Sequence, residues 1–217
     1  MAVRPVFMAI DKPPYYREFW AEFLWNGGFA PSQKQKNIAA VHRSFLTQYP
    51  DLKVLEISSK SMQTGGVSLS AFHLKKIVPS LGCSIPVENI FQAGKVFETG
   101  GPFPDLLSVS PRDAKRDGRL TSSGELTAFY FEERRFPTEP KTTFYDYIYC
   151  NALLENRELA QTILSYDAFT DIEFNPSKSI NCQAKAAALF VSLSRLGMAD
   201  QIKDFQNFRQ LFLEEAK

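Results

Sequence analysis

Alternation of apolar and polar residues divides the first third of the chain into short strands and one amphipathic helix. The apolar runs PVFMAI and REFWAEFLW favour β-strands, and KVLEIS predicts a buried strand. Between them, PSQKQKNIAAVHRSFLTQYP carries apolar residues at helical spacing up to Pro50, which predicts a helix. The segment from Ser58 to Gly66 is polar and contains two glycines, so a loop is expected there.

The middle of the chain predicts a strand followed by a short helix with two unlike sides. VSLSAFHLKKI alternates enough for a strand or an extended edge, and VENIFQAGKVFETGG, residues 87–101, predicts the helix. Ser84 is suited to cap this helix, and Pro86 is suited to its first turn. At ~100° per residue, two groups of side chains separate on the helical wheel. The group suited to packing is Val87, Ile90, Gly94 and Phe97, and the group available for chemistry is Glu88, Phe91, Gln92 and Lys95.

The stretch SPRDAKRDGR, residues 110–119, carries its own helix signals. Ser110 is placed as an N-cap, Asp113 completes a weak capping box, and Gly118 marks the stop. A two-turn helix would then present Arg119 at its exit.

The C-terminal half predicts mostly helix. ELTAFYFEE favours a strand, the following long helix has a break around Asn156, and SYDAFTDIEFNPSK predicts a loop. SINCQAKAAALFVSLSRLG predicts a helix closed by Gly197, and ADQIKDFQNFRQLFLEE predicts a final amphipathic helix. Its predicted buried stripe is Ile202, Phe205, Phe208 and Phe212. Together these elements predict an α+β fold, predominantly helical, rather than regular βαβ units.

Composition narrows the classes of function. The 217 residues contain 25 Lys and Arg against 24 Asp and Glu, so nucleic acid is not held by bulk positive charge. The glycines match neither a dinucleotide-binding turn nor a phosphate loop. Because the sequence has neither a signal peptide nor an apolar run of ~18–20 residues, a cytoplasmic protein without a membrane partner is expected.

The spacing of cysteine and histidine gives no support to a metal centre. Cys83, Cys150 and Cys182 are odd in number and far apart, so reduced packing residues are expected rather than disulfides or a zinc site. His42 and His73 lie in different segments, which supports neither metal hydrolysis nor a Ser-His-Asp triad. No metal or cofactor is expected, and carboxylates, lysines and arginines remain as candidates.

Lys95 is the candidate nucleophile, and Glu88 lies two turns before it on the predicted helix. At an ordinary pKa of ~10.4, a lysine at pH 7 holds its free amine in only about one part in a few thousand. Desolvation, or a nearby cation such as Arg119, would lower that pKa. Ordinary explanations also exist: an exposed helix lysine, a first-turn acid favoured by the helix dipole, and a solvated arginine.

Three stretches, in this order, resemble the NADAR family of YbiA-like N-glycosidases: VENIFQAGKVF, SPRDAKRDGR and AFTDIEFNPSKSINCQAKAAALFVSL. The family patterns are approximately E-x-x-F-Q-A-x-K-F, S-P-x-x-A-K-x-x-G-R, and a D-rich loop before an N-x-x-G/A helix. VSLSAFHL also resembles the family's serine/asparagine–aromatic strand, so the likeness covers residues 67–195. Many members have His where this chain has Asn89, and Trp-Gly where it has Glu173 and Phe174.

The chain is more similar still to the branch encoded beside DarT-type toxins, which attach ADP-ribose to guanine in DNA. VLEISSKS, KVFETGGP and SINCQAKAAALFVSL carry that closer likeness. The resemblance implies a YbiA/NADAR-like domain over residues 67–217, with residues 1–66 as an N-terminal αβ extension packed on it. It also implies a hydrolase that removes ADP-ribose from guanine in DNA and acts as antitoxin to a DarT-type toxin.

The same resemblance implies roles for individual residues. Lys95 captures the opened sugar as a Schiff base, and Glu88 positions the ribose hydroxyls or moves protons. Arg119 pairs with the pyrophosphate, and Asp171 or Glu173 orients water. The implied substrate-binding residues are Gln92, Phe91, Arg119, Ser70, Phe72, Asp171, Glu173 and Asn181.

ADP-ribosylated DNA is the implied partner, with ADP-ribose as product, and binding is expected to depend on the modification. Some basic residues are available for phosphate contacts, although solvated helix faces explain them equally well. These residues are Lys34, Lys36, Arg43, Lys75, Lys76, Arg112, Lys115 and Arg116.

Two alternatives stay open. A small-molecule N-glycosidase acting on riboflavin-pathway ribosylamino intermediates would need no nucleic acid. A non-catalytic antitoxin would bind the toxin or ADP-ribose and block it sterically, although retention of the reactive side chains of the motifs argues against this.

Overall fold

The computed structural model describes residues 1–28 and 30–213 as a mixed α/β fold with three small sheets. The strands are β1 (Ala2–Ala9), β2 (Tyr16–Phe23), β3 (Val54–Glu56), β4 (Lys75–Val78), β5 (Cys83–Pro86), β6 (Lys95–Phe97), β7 (Leu126–Phe131), β8 (Arg134–Phe136) and β9 (Ala168–Thr170). The helices are α1 (Pro31–Gln48), α2 (Thr64–Ser68), α3 (Val87–Ala93), α4 (Pro111–Arg116), α5 (Arg119–Ser122), α6 (Thr143–Glu155), α7 (Arg157–Leu164), α8 (Gln183–Arg195), α9 (Ala199–Lys203) and α10 (Phe205–Leu213). Short 3₁₀ turns cover Pro79–Leu81 and Pro104–Leu107. The fold is 45% helical, so the predicted predominance of helix is not confirmed.

The largest sheet joins the two ends of the chain. Its strand order is β2-β1-β9-β3, in which β9 is antiparallel to β1 and parallel to β3. Successive side chains of a strand face opposite ways, and accordingly Val6 packs in the cluster with α1 whereas Phe7 packs in the cluster with α8. The boundary predicted after residue 66 therefore divides a sheet whose strands come from both sides of it, and a separate N-terminal extension is not confirmed.

The main core lies between this sheet and the small sheet β6-β7-β8. Helices α6 and α8 pack together through it, and the small side chains of α8 allow their close approach. Aromatic rings of α3, β7 and α6 meet there, with the ring centroids of Phe129 and Phe144 4.5 Å apart and stacked. All seven residues of α3 are buried, so this helix is enclosed on every side.

The helix predicted over residues 87–101 ends at Ala93, and Lys95 begins strand β6. Sheet pairing replaces the helix here, because the Gly94 carbonyl accepts a hydrogen bond from Tyr130 N at 2.6 Å and Lys95 pairs with Phe129. Ser84 is not a helix cap, since residues 83–86 form β5 and the N-cap position belongs to Pro86. The helical wheel that placed Lys95 and Phe97 on α3 is therefore wrong.

Other predicted boundaries differ where distant segments pair. The stretch predicted as a strand over residues 67–77 contains the end of α2 and turns, with only its last residues in β4. The loop predicted over residues 165–178 contains β9, because β1 and β3 supply hydrogen-bonding partners that local sequence cannot reveal. Arg119 opens α5 rather than leaving α4, and α8 begins only at Gln183.

The final helix is divided in two at Asp204. Its Oδ1 accepts hydrogen bonds from the amides of Gln206 (2.9 Å) and Asn207 (3.0 Å), which starts α10 as a new helix. Phe212 is half-buried, and residues 214–215 of the predicted helix lie outside the described residues. Strands β1 to β3, helix α1, the Ser110 cap and the break at Asn156 are confirmed.

Two glycines hold the backbone of Lys95 in place. A Cβ on Gly94 would lie 2.7 Å from the carbonyl oxygen of Tyr130, and one on Gly101 would lie 2.2 Å from the carbonyl oxygen of Lys95. Gly101 also has a φ of +87°, a conformation that favours glycine. Close backbone approach on both sides therefore fixes where the lysine side chain starts.

Replacing Gly94 with alanine is expected to lower the free energy of unfolding by about 1–3 kcal/mol, because the added methyl group meets backbone that is paired in the sheet. Urea denaturation measures the change. The matched control is Gly27→Ala, where the new Cβ meets nothing within 4 Å and the effect should stay within about 0.5 kcal/mol. A Gly94→Ala protein as stable as the control would show that the backbone of β7 at Tyr130 can move away from residue 94.

Candidate functional site

Helix α3 carries three polar side chains into the protein interior. Glu88 and Gln92 are joined by a hydrogen bond in which Gln92 Nε2 donates to Glu88 Oε1 at 2.8 Å. Asn89 Nδ2 donates to the carbonyl oxygens of Leu106 (2.7 Å) and Val109 (2.9 Å), which ties α3 to the segment leading into α4. Burying such groups is costly unless they find partners. Asn89 thus positions α4 beside α3.

Lys95 ends in an environment that disfavours its charge. Its Nζ lies 4.7 Å from the centroid of the buried Phe91 ring. Burial lowers the pKa of Lys95 to about 8; the positive charge of Lys115 also lowers it, and the negative charge of Glu88 opposes both. With that pKa, about one lysine in ten is a free amine at pH 7, instead of one in a few thousand.

Lys115 is the second cation of the site. It extends from α4 so that its Nζ lies 3.5 Å from Glu88 Oε1 and 5.4 Å from the centroid of the Phe72 ring. The Lys115 side chain is 57% exposed, whereas that of Glu88 is 5% exposed. Sequence analysis named Lys115 only among surface cations, although its place in the SPRDAKRDGR stretch was a signal.

Arg119 is engaged elsewhere. Its guanidinium donates to Asp105 and Asp117, with the NH2 nitrogen 2.6 Å from Asp105 Oδ2 and 2.8 Å from Asp117 Oδ2. These hydrogen bonds, first those to Asp117 and then those to Asp105, raise the pKa of Arg119 further above its already high value. The guanidinium also lies over Phe103, 4.6 Å from the ring centroid. Burial and Lys115, rather than Arg119, lower the pKa of Lys95.

Asp171 follows β9, and its carboxyl group is held by two donors. Oδ1 accepts the amide of Glu173 at 3.0 Å, and Oδ2 accepts Gln183 Nε2 at 2.9 Å. Burial raises the pKa of Asp171 to about 8, and the negative charge of Glu56 adds to the effect. The positive charge of Lys115 lowers the pKa of Asp171. Lys115 also pairs with Glu88, so it interacts with both carboxyl groups.

Gln183, the first residue of α8, connects Asp171 with two other segments. Its Nε2 also donates to the carbonyl oxygen of Ile57 at 2.7 Å, and its Oε1 accepts the amide of Ala71 at 2.7 Å. The loop after β3, the turn at residue 71 and the Asp171 loop are thereby held together. Sequence analysis did not identify Gln183, because each of its partners is distant along the chain.

The four remaining residues predicted for the site are Glu173, Ser70, Phe72 and Asn181. Glu173 is exposed, and its carboxylate pairs with Lys34 on α1 at 3.1 Å. Ser70 is buried, and its hydroxyl donates to the Val67 carbonyl at 2.8 Å. Phe72 is half-buried below Lys115, and Asn181 is half-buried two residues before α8.

Tyr145, on α6, belongs to the same region although no sequence signal marked it. Its ring meets the Phe91 ring edge-on, with centroids 5.1 Å apart. Burial raises the pKa of Tyr145, and the negative charges of Glu88 and Asp171 add to the shift. The structure therefore brings Glu88, Phe91, Gln92 and Lys95 together with Phe72 and Lys115, and it places Tyr145 within the electrostatic influence of Glu88 and Asp171.

Histidine and cysteine contact the edge of this site: His73 Nδ1 is 2.8 Å from Ser70 Oγ, and the charge of Asp171 acts on Cys182. His42 Nε2 is 2.9 Å from Thr170 Oγ1, and burial lowers the pKa of His42 to about 4. Cys150 and Cys182 are buried, whereas Cys83 is exposed, so the expectation that all three pack in the core is wrong for Cys83. Over residues 1–28 and 30–213, no group of three metal-ligating side chains comes together. None of the described helices is long and apolar enough to cross a membrane.

Comparison with known proteins bears on the whole of this arrangement. The family model of DarT1-associated NADAR antitoxins matches residues 2–217. The match includes the N-terminal strands as well as α3, α4 and α8, which supply the site. Comparison with curated proteins gives no match.

The pKa of Lys95 can be measured directly by following lysine carbon signals in an NMR titration. Lys95 is expected to be half-protonated near pH 8, and its signal should vanish in Lys95→Gln. Glu88→Gln should lower this midpoint because it removes a stabilising negative charge, whereas Lys115→Met should raise it because it removes a repelling cation. A Lys95 midpoint near the ordinary ~10.4 would contradict the desolvated geometry.

Proposed function

This chain belongs to the DarT1-associated NADAR antitoxin family, and on that basis we propose that it removes ADP-ribose from ADP-ribosylated guanine in DNA. The antitoxin role of the family pairs the protein with a DarT toxin. The observation that carries the proposed reaction is Lys95, a desolvated amine with a pKa of about 8 beside a buried carboxylate. A lysine of this kind is suited to attack a sugar carbon at neutral pH.

In the proposed reaction, the free amine of Lys95 forms a bond to the anomeric carbon of the ADP-ribose sugar that is attached to guanine. The bond between that carbon and the guanine nitrogen breaks, and guanine leaves with the electron pair and one proton. The amine loses a proton, the ribose ring opens to a Schiff base, and water then releases the lysine and ADP-ribose. One water molecule is consumed overall, so the reaction is a hydrolysis.

Glu88 is placed to handle protons and hydroxyl groups during this sequence. One of its oxygens accepts from Gln92 and lies 3.5 Å from Lys115 Nζ, which fixes the carboxylate within the electrostatic influence of both lysines. A carboxylate in that position accepts hydrogen bonds from ribose hydroxyls and takes up the proton that Lys95 releases. Proton transfer of this kind typically contributes 10²–10⁴-fold.

Asp171 is the proposed acid for the departing guanine. A carboxyl group with a pKa of about 8 holds its proton at neutral pH, which suits donation to a leaving nitrogen. Glu173 fits this role less well, because its exposed carboxylate pairs with Lys34. Phe72 and Phe91 supply apolar surface against which a base or a sugar can pack.

Phosphate binding is assigned to α4 rather than to Arg119 alone. Arg112, Lys115 and Arg116 are exposed and spaced three and four residues apart, which puts them on one face of α4. Arg119 must leave its two carboxylates before it can pair with a pyrophosphate, whereas the three cations of α4 are exposed and one of them, Lys115, already lies beside Glu88. DNA phosphates and the ADP-ribose pyrophosphate both suit such a face.

Loss of Lys95 is expected to abolish turnover. Wild-type protein should release ADP-ribose from a guanine-ADP-ribosylated oligonucleotide and form a covalent adduct when borohydride is added, because borohydride reduces a Schiff base to a stable amine. Lys95→Ala should show neither result, whereas the exposed Lys203→Ala should show both. Mass spectrometry of the adduct and chromatography of the released ADP-ribose provide the measurements.

Each remaining outcome has a distinct meaning. If the Lys95→Ala protein still releases ADP-ribose, the proposed substrate would be correct, but catalysis would depend on the Glu88 carboxylate rather than on Lys95. Inactivity on DNA together with release of ribose phosphate from a phosphorylated ribosylamino-pyrimidine would favour the small-molecule N-glycosidase. Protection of cells by Lys95→Ala, with no turnover by any variant, would favour the non-catalytic antitoxin.

The cations of α4 are expected to increase the affinity for the modified oligonucleotide. Arg112→Ala and Arg116→Ala should each weaken affinity for the modified oligonucleotide and reduce the slope of log Kd against log salt by about 1, because each removes one phosphate contact. Turnover at saturating substrate should change little. Fluorescence anisotropy over a salt series measures both quantities, with Lys203→Ala as the surface control. Unchanged salt slopes would remove α4 from the DNA interface.

A further inference from the structure

Glu56, the last residue of β3, is a buried carboxylate that the proposed reaction has not used. Its side chain is only 3% exposed. None of the ion pairs within residues 1–28 and 30–213 includes Glu56, so no lysine or arginine there neutralises it. A carboxylate in this situation is costly to keep in a structure.

Besides a hydrogen bond with Ser58, the Glu56 carboxylate contacts the two residues that flank Asp171. Thr170 Oγ1 donates to Glu56 Oε2 at 2.5 Å, and the amide of Ile172 donates to Glu56 Oε1 at 2.9 Å. Asp171 itself is held by Glu173 and Gln183, so both its backbone and its carboxyl group are fixed. Glu56 is thus joined through hydrogen bonds to the chain on either side of the proposed acid.

We infer that Glu56 is a positioning residue for the reaction proposed above: it fixes the segment that carries Asp171 and places a second carboxyl group near it, so that the pair retains a proton. The inference rests on the proposed function, because it concerns the proton that Asp171 gives to guanine. In that step, the O–H bond of Asp171 breaks, a bond from the proton to the guanine nitrogen forms, and Asp171 is left ionised. The proton that Glu88 takes from Lys95 is returned through water at the end of the cycle and restores the pair.

Electrostatics support the same arrangement. Burial raises the pKa of both Glu56 and Asp171, and the charge of Glu56 raises that of Asp171 further. Two carboxyl groups in one desolvated region resist a second negative charge, so one of them stays protonated. Other groups that face this pair or its hydrogen-bonding partners are His42 and Lys34 of α1, Lys115 of α4, Tyr145 and Tyr149 of α6, Glu173 of the loop, and Cys182 before α8.

The test is an NMR titration of protein labelled with carbon-13 at the aspartate carboxyl carbon, in which Asp171 is assigned by loss of its signal in Asp171→Asn. In the wild type, the midpoint of Asp171 is expected near pH 8. In Glu56→Gln, it should fall by roughly one pH unit or more, because the neighbouring negative charge is gone. The matched control is Asp146→Asn, which removes another buried carboxylate, paired with Lys185 on α8, and should leave the Asp171 midpoint unchanged.

A second variant covers the case in which Glu56→Gln does not fold. Thr170→Val has nearly the same shape but removes the hydroxyl that stabilises ionised Glu56. Glu56 then keeps its proton more readily, its charge no longer opposes ionisation of Asp171, and the Asp171 midpoint should again fall. A wild-type midpoint in the ordinary acidic range, or a midpoint that does not move in either folded variant, would overturn the inference.

Turnover separates this inference from the proposed function. If the wild type releases ADP-ribose, activity should fall as pH rises through the Asp171 midpoint, and that alkaline limb should move to lower pH in Glu56→Gln. A wild type that shows the predicted NMR midpoints but releases no ADP-ribose would contradict the proposed function and leave the carboxyl pair in place. If the wild type turns over substrate but the pH at which activity falls is the same in Glu56→Gln and Thr170→Val, only the role of Glu56 would be contradicted.

Discussion

Removal of water from around the Lys95 ammonium is the physical effect on which the site depends. Water stabilises a lysine cation strongly, and the protein replaces that water with an aromatic ring, a carboxylate and a second cation. The enclosure requires α3 to be buried on every side, and α3 is enclosed because α4, the Pro104–Leu107 turn, α6 and β5 surround it, with Phe129 of β7 against Phe91. A buried helix and a reactive amine are two aspects of one packing arrangement.

That arrangement places polar groups in the interior, and the surrounding chain supplies their partners. Asn89 binds two carbonyl oxygens before α4, and Gln92 binds Glu88. Gln183 makes three hydrogen bonds to three segments. These bonds satisfy the side-chain donors of Asn89 and Gln92, whereas Asn89 Oδ1 and Gln92 Oε1 are buried without a hydrogen-bond partner among the described residues. The same contacts that stabilise the interior therefore orient the site.

Charges of opposite sign meet across the site. Glu88 lies near Lys95 and Lys115, and Lys115 also acts on Asp171, whose carboxyl group is opposed by that of Glu56. In a region with little water, each of these interactions is stronger than at the surface. Burial is the main cause that shifts Lys95 towards its neutral form and Asp171 towards its protonated form; Lys115 adds to the first shift and Glu56 to the second, and both pKa values come to about 8. A nucleophile and an acid with matched pKa values suit one proton-transfer cycle near neutral pH.

The order of motifs along the chain identified Glu88, Gln92, Lys95 and Asp171, and the local signals for α1, the Ser110 cap and the break at Asn156 were sufficient by themselves. Local signals failed at Lys95 and at β9, because strand pairing is decided by partners far along the chain. The SPRDAKRDGR stretch marked Lys115 but not its approach to Glu88, and no sequence signal marked Tyr145 or the hold of Glu56 on both neighbours of Asp171. The sequence by itself determined the family and which side chains are candidates for the reaction, since residue types and their order suffice for that. Only the tertiary structure decided the charge states and neighbours of those side chains, because desolvation and electrostatic interaction depend on which distant segments fold against one another.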